Sequence, residues 1–306
     1  MSNQIKKLPL LSLIIASSVI LSTMYFFNLA YTYSKPADYG SSMRLCSCVA
    51  FRLDDVEDFP YSSPLIGVME VFKEKNIGLT IGVVGKNIDA DNKQVYYYIK
   101  QRLMNNNGNN GSNNGAAIEI ANHSWEHGRF LNFTFLEQSN SIRKTNEKIN
   151  SIFGITPTIF IPPFVEYNNN TILAMHENNM RFISADDRDS SVYSTFSNST
   201  IYHLPETAET GCDKCNATKS YLWANKSYPW HGVQHEETLN EIKKSIHHYG
   251  FAVVMMHPME YSLEHDAVTF QNTLDLKQIR ELVLLIEKIQ EEGLHIVTMG
   301  NMINYY

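Results

Sequence analysis

From Cys48 onward the chain alternates short apolar runs with amphipathic helical patterns, and this alternation limits the fold more than any other feature. Strand candidates fall at 48–53, 78–84, 116–121, 158–161, 181–184, 200–204, 251–256 and 294–297. Helix candidates lie between them at 64–75, 94–104, 135–153, 170–179, 236–248 and 275–292. Parallel strands need long crossovers, and a helix in each gap supplies them, so the pattern predicts an α/β fold around a parallel sheet, open or closed into a barrel. In such folds the working side chains gather at the carboxyl ends of the strands. Residues 105–115, mostly Asn and Gly, read as a low-complexity surface loop.

Two stretches carry the titratable groups such a site needs. Asn122-His123-Ser124-Trp125-Glu126-His127-Gly128 follows the apolar run 116–121. On an extended strand its two histidines would stand about 13 Å apart, too far to share an ion. Shared coordination requires the chain to coil after Ala121, and a helical turn would put positions i and i+4 on one face. Upstream, Asp54-Asp55 follows Val49-Ala50-Phe51. Strand side chains alternate faces, so both aspartates reach one site only where the strand ends and the chain turns. One aspartate and two histidines leave an open position on a divalent ion, as in catalytic zinc sites, and the second aspartate is free to take a proton.

Asp54-Asp55, the HSWEH run, Phe160-Ile161-Pro162-Pro163-Phe164, Asp186-Asp187-Arg188-Asp189 and Val254-Met255-Met256-His257-Pro258 together resemble the five ordered motifs of the polysaccharide deacetylase family. The resemblance runs over roughly residues 46–300 and implies a distorted (β/α) barrel of seven to eight strands. It implies that Asp55, His123 and His127 hold a divalent metal, with zinc expected and cobalt or nickel as alternatives. By the same likeness Asp54 is the general base, His257 the general acid and Asp189 its acidic partner, with Asp186 as fallback. Pro163 and Phe164 would meet the substrate, an acetylated glycan. The implied reaction is removal of acetyl groups, with N-acetyl the expected linkage: the ion acidifies its water, Asp54 takes the proton, and His257 protonates the leaving nitrogen.

The third motif departs from the family at Ile161, where an arginine that orients the base usually stands. Arg52 lies two residues before Asp54, hence on the same strand face, and is expected to pair with it instead. Two rival readings remain. A glycan-binding surface protein could keep the fold and lose turnover along with the arginine. HSWEH also satisfies H-x-x-E-H, the inverted zinc-peptidase pattern with Glu126 as base, although that pattern needs a continuous helix and Gly128 follows at once.

Composition and the amino terminus bound the setting. A formal charge of −7 without basic runs leaves no footprint for nucleic acid. Lys6-Lys7 precede the uncharged stretch 8–33, long enough to cross a bilayer, which reads as an uncleaved signal anchor with a cytoplasmic tail at 1–7, a stalk at 34–45 and the catalytic domain, 46–306, outside the cytoplasm. A cleaved signal with secretion is the alternative. Several Asn-x-Ser/Thr sequons permit glycosylation. Cys46/Cys48 and Cys212/Cys215 form two pairs, and the favoured reading is a disulfide tying the domain's start to the later loop. Oligomeric state is not written in the sequence.

Overall fold

The structure, a computed structural model, describes residues 46–90, 93–106, 117–186, 193–196, 199–212, 222–223, 226–227, 231–266 and 269–302. Its centre is a parallel sheet built from β1 (Cys48–Val56), β2 (Leu79–Val83), β3 (Ile118–Asn122), β4 (Ile159–Phe160) and β5 (Phe182–Ile183), continued by β6 (Ser199–His203), β7 (Ala208–Glu209), β8 (Phe251–Met256) and β9 (His295–Val297). Across the sheet the order is β6-β5-β4-β3-β2-β1-β8-β7, with β9 pairing along the lower half of β1. The first strand is central: Arg52 is in register with Thr80 on one side and Met255 on the other.

The sheet curls into a parallel half-barrel whose two edges are bridged by one extended stretch. Along it, the amides of Tyr202, Leu204 and Glu206 donate to the carbonyls of Arg181, Ile183 and Ala185 beside β5, while those of Thr207 and Thr210 donate to Val253 and Met255 of β8. Strand alternation then sorts β1 into two cores. Val49, Phe51 and Leu53 pack against helices, whereas Cys48 and Ala50 join Ala121, Ile159, Phe182 and Val253 inside the curl. Phe51 and Phe72 meet edge to face with centroids 5.2 Å apart. Truncating either to alanine would cost about 3–5 kcal/mol.

The helices α1 (Ser62–Glu74), α2 (Gln94–Asn106), α3 (Phe135–Phe153), α4 (Asn169–Glu177), α5 (His235–Tyr249) and α6 (Leu276–Glu291) fall close to the expected spans, and α7 (Met299–Met302) follows β9. Their ends obey local rules: Thr134 and Glu137 form a reciprocal capping box at the start of α3, and Gly154 closes it in the left-handed region at φ 70°. A hairpin, Ser262–Asp266 with Thr269–Leu274, was not expected; it inserts between β8 and α6.

One expectation is overturned here. The structure bonds Cys46 to Cys48 across one intervening residue, so neither is available to reach the later loop. Ser47 sits between them at φ 45°, the turn that lets such close neighbours meet. Cys215 and the Cys212 side chain lie outside the described residues. So does the expected anchor at 8–33; among the described residues no helix is long and apolar enough to cross a membrane.

Candidate metal centre and active site

The even-numbered face of β1 continues from Cys48 and Ala50 through Arg52 to Asp54, which places a cation and an anion inside the curl at its carboxyl end. By alternation Asp55 would face the helices. It does not, because the pairing with β2 shifts register between Leu53 and Val56 and Asp55 itself adopts φ 55°. The strand therefore runs on to Val56, and a bulge rather than a strand end brings both aspartates to one cavity. The left-handed region costs a non-glycine residue about 1–2 kcal/mol, so the surroundings must hold Asp55 there.

His123 and His127 do so. The Nε2 atoms of the two histidines lie 3.2 and 3.0 Å from the same oxygen, Asp55 Oδ1. The chain between them is not a helical turn. Ser124 and His127 take φ 67° and 54°, the Ser124 amide donates to Asn122 Oδ1, and the His127 amide donates to Ser124 Oγ. Side chains thus close a compact loop that hydrophobic periodicity could not forecast. Glu126 points elsewhere: it is half exposed and pairs with Lys86 at 2.9 Å.

Asp55, His123 and His127 can each offer a ligand atom, all within 4.8 Å of one another. Two ligands about 2.0–2.1 Å from a tetrahedral ion stand about 3.3 Å apart, close to the observed separations. The second histidine nitrogen fits too: His123 Nδ1–H donates to the Ile161 carbonyl at 2.8 Å, which leaves Nε2 as the ligating atom. Burial pushes the Asp55 carboxyl up, but hydrogen bonds from His123 and His127 outweigh it and hold the group well below its usual value. Burial pulls His127 down, and its hydrogen bond to Asp55 more than reverses that. This donor set fits a divalent ion.

Arg52 meets Asp54 as the shared face predicted. Arg52 Nη2 lies 3.1 Å from Asp54 Oδ2, with both side chains shut away from solvent. The guanidinium is braced at its other nitrogen, where Nη1 donates at 2.8 Å to both the carbonyl and the hydroxyl of Ser184 beyond β5. Asp54 Oδ1, in turn, is buried with no hydrogen-bond donor among the described residues. Ile161 fills the adjoining space. A Cβ on Gly82 would stand 3.3 Å from Ile161 Cδ1 and 3.4 Å from Asp54 Oδ1, so a bare backbone floors the site.

On the strand that neighbours β1, His257 directly follows β8 and lines the same cavity of about 610 Å³. The cavity thus gathers a buried carboxylate, a three-residue donor set and an imidazole, and known proteins can be compared with it. Residues 46–183 match the family model described as polysaccharide deacetylase. They are a polysaccharide deacetylase domain. The match ends before His257, and similarity to solved structures extends the fold over the rest. One is a peptidoglycan N-acetylglucosamine deacetylase, 16% identical, with TM-score 0.53, covering 85% of this chain and 89% of that one. A family 4 acetyl xylan esterase from Clostridium thermocellum is 17% identical with TM-score 0.51, covering 84% and 90%. A CE4 family pseudoenzyme from Bacillus anthracis is 15% identical with TM-score 0.52; the match covers 86% of this chain and 66% of that longer one.

At the rim of the cavity, Phe164 is 44% exposed and adopts φ 59°, directly after the buried Pro163. The Arg129 guanidinium lies 4.0 Å from its ring centroid and pairs with Glu166 at 2.8 Å, so the aromatic face is gripped from one side. The wall below is acidic. Burial, followed by the charge of Glu206 and a hydrogen bond with it, pushes the Glu209 carboxyl well above its ordinary value.

The cavity also has a neighbouring group that the motifs did not reveal. The expected partner Asp189 lies outside the described residues; Asp186 lines the cavity. Among the described residues the carboxylate that meets His257 is Glu260, whose Oε1 lies 3.3 Å from Nδ1 and accepts a hydrogen bond from the His257 amide at 3.1 Å. The available signal was short-range: Pro258 opens a 3-10 turn, and in such a turn residues three apart are neighbours. Burial pulls the His257 imidazolium down, but the Glu260 hydrogen bond and the charges of Asp55 and Asp54 prevail and hold it up at about 9.

Proposed function

We propose that the chain is a metal-dependent hydrolase that removes acetyl groups, N-acetyl in the first instance, from a polysaccharide. The observation that carries this reading is Asp54, charge-paired with Arg52, in one cavity with the Asp55–His123–His127 cluster and His257. A divalent ion held by that cluster supplies Lewis-acid polarisation of the acetyl carbonyl and acidifies water.

The chain's own residues do the rest. Arg52 pairs with Asp54 Oδ2 and holds the carboxylate in place, so Oδ1 is the acceptor for the proton of the attacking water. His257, protonated at neutral pH, gives a proton to the nitrogen as the C–N bond breaks, because an amine leaves only as a neutral species. Phe164 offers a flat apolar face for a sugar ring, and Pro163 stiffens the turn beneath it. Relocating the guanidinium from position 161 to Arg52 preserves the electrostatics of the base. Glu126, turned toward Lys86, is not presented to the histidine pair, which disfavours the peptidase reading.

Burial of Ile161 where the family carries an arginine favours one second reading, a glycan-binding protein without turnover. Acetate release from a panel of acetylated glycans decides between them. Turnover by the wild type that disappears in Asp54→Asn supports hydrolysis, and binding of chitooligosaccharide without acetate from any member of the panel supports the second reading. Glu126→Gln is expected to leave acetate release intact.

The working domain is inferred to lie outside the cytoplasm, tethered by residues 8–33. The Lys6-Lys7 flank and the Cys46–Cys48 disulfide support this, since cytosolic thiols are kept reduced. Protease protection of the domain in sealed inside-out vesicles, and its digestion in intact cells, is the expected pattern.

A further inference from the structure

Glu260 is the least expected carboxylate near the cavity. Its side chain is fully enclosed, yet each oxygen has a defined partner. Oε1 takes the His257 amide and lies against Nδ1; Oε2 accepts from Thr210 Oγ1 at 2.5 Å, and Thr210 Oγ1 in turn accepts from Tyr261 Oη at 3.0 Å. The backbone of Gly211 closes over it so tightly that an added Cβ would stand 2.5 Å from the carboxyl carbon. A buried carboxylate is costly unless hydrogen-bonded on every side, and here the donors converge on one that pairs with no Lys or Arg among the described residues.

We propose that Glu260 is the positioning residue of His257, holding the imidazole by Nδ1 and by its main chain so that Nε2 is the nitrogen turned to the substrate. This rests on the reading of His257 as general acid. During turnover the Nε2 proton passes to the leaving nitrogen as the C–N bond breaks, and the Nδ1 proton stays on the hydrogen bond to Glu260. The acid is thereby built within one turn of chain, from residues three apart, rather than from two strands. Other groups also face the ring: Asp54 and Asp55 from β1, His127 from the loop after β3, and Glu209 from β7. Asp54 and Asp55 add to the field that Glu260 sets but, unlike Glu260, have no hydrogen bond to Nδ1 among the described residues.

The test uses the full-length chain with ¹⁵N-labelled histidine, His257 being assigned by its loss in His257→Gln. In the wild type, His257 should titrate well above its free value of about 6.5, and its neutral form should carry the proton on Nδ1. Glu260→Gln should return the titration toward about 6.5. In the same variant kcat for acetate release should fall about 10- to 100-fold with KM little changed and the alkaline limb moved to lower pH. Glu260→Asp should recover part of the loss. Gly211→Ala, which displaces the carboxylate without removing it, should act in the same direction. A neutral ring protonated on Nε2 in the wild type, or a titration that Glu260→Gln and Gly211→Ala leave unmoved, overturns the proposal. If Glu260→Gln does not fold, the wild-type tautomer and Gly211→Ala still decide. If the wild type releases no acetate, the hydrolase reading fails while the titration arm still judges Glu260.

Discussion

Arg52 and Asp54 project from the same face of one strand, and the guanidinium and carboxylate meet at 3.1 Å with neither side chain reaching solvent. A buried pair of this kind is expensive to break because the survivor stays buried and uncompensated. Arg52→Ala should therefore lower unfolding free energy by about 3–5 kcal/mol and reduce acetate release at least tenfold. Urea unfolding and the acetate assay report the two separately. Adding Ile161→Arg to Arg52→Ala should restore part of the turnover; unchanged turnover in Arg52→Ala alone would show that the base needs no guanidinium.

Metal linkage gives a test that does not depend on finding the substrate. Anything that binds only the folded state stabilises it, by about 2.7 kcal/mol at a concentration of 100 Kd. Zinc or cobalt added to chelator-treated protein should raise Tm, and Asp55→Asn or His127→Gln should abolish the increase. Acid should weaken the effect, since the ion must displace the proton that His127 holds above its ordinary range. A full Tm increase in Asp55→Asn would disprove this ligand set.

The His257 shift makes a stability prediction of fixed sign. Its folded value, about 9, lies above the unfolded value of about 6.5. The stabilisation is therefore complete below about pH 6.5 and is lost as pH rises through about 9, on the order of 3 kcal/mol in all. Chelator-treated wild type should lose more stability between pH 6 and pH 10 than His257→Gln does. Parallel unfolding curves for the two proteins over that window would contradict the assignment.

At the rim, Phe164 combines an exposed ring with a left-handed backbone. Phe164→Ala should raise KM for glycan with little change in kcat, the pattern that follows from the role proposed for the ring, meeting the sugar and not the reacting atoms. Phe164→Gly should lose the same binding yet be more stable than Phe164→Ala by about 1 kcal/mol. Equal stability of the two variants would mean that the turn carries no strain.

Much of this protein could be read along the chain. Alternating apolar runs and helical patterns determined the parallel α/β fold, because the periodicity of burial is a local property of sequence. Spacing placed Arg52 and Asp54 on one strand face for the same reason, and the family motifs named Asp55, His123, His127 and His257.

What the tertiary structure alone decided was how those residues meet. The bulge that swings Asp55 toward the histidines, the loop that replaces a helical turn between His123 and His127, Ser184 bracing Arg52 from another strand, and Glu260 behind His257 all depend on hydrogen bonds from neighbouring strands and turns. The Cys46–Cys48 bond belongs with them, since thiol pairing follows the distance between side chains in space. Sequence records which groups are present and their period, whereas direction and partner are set by backbone angles that only packing can hold in place.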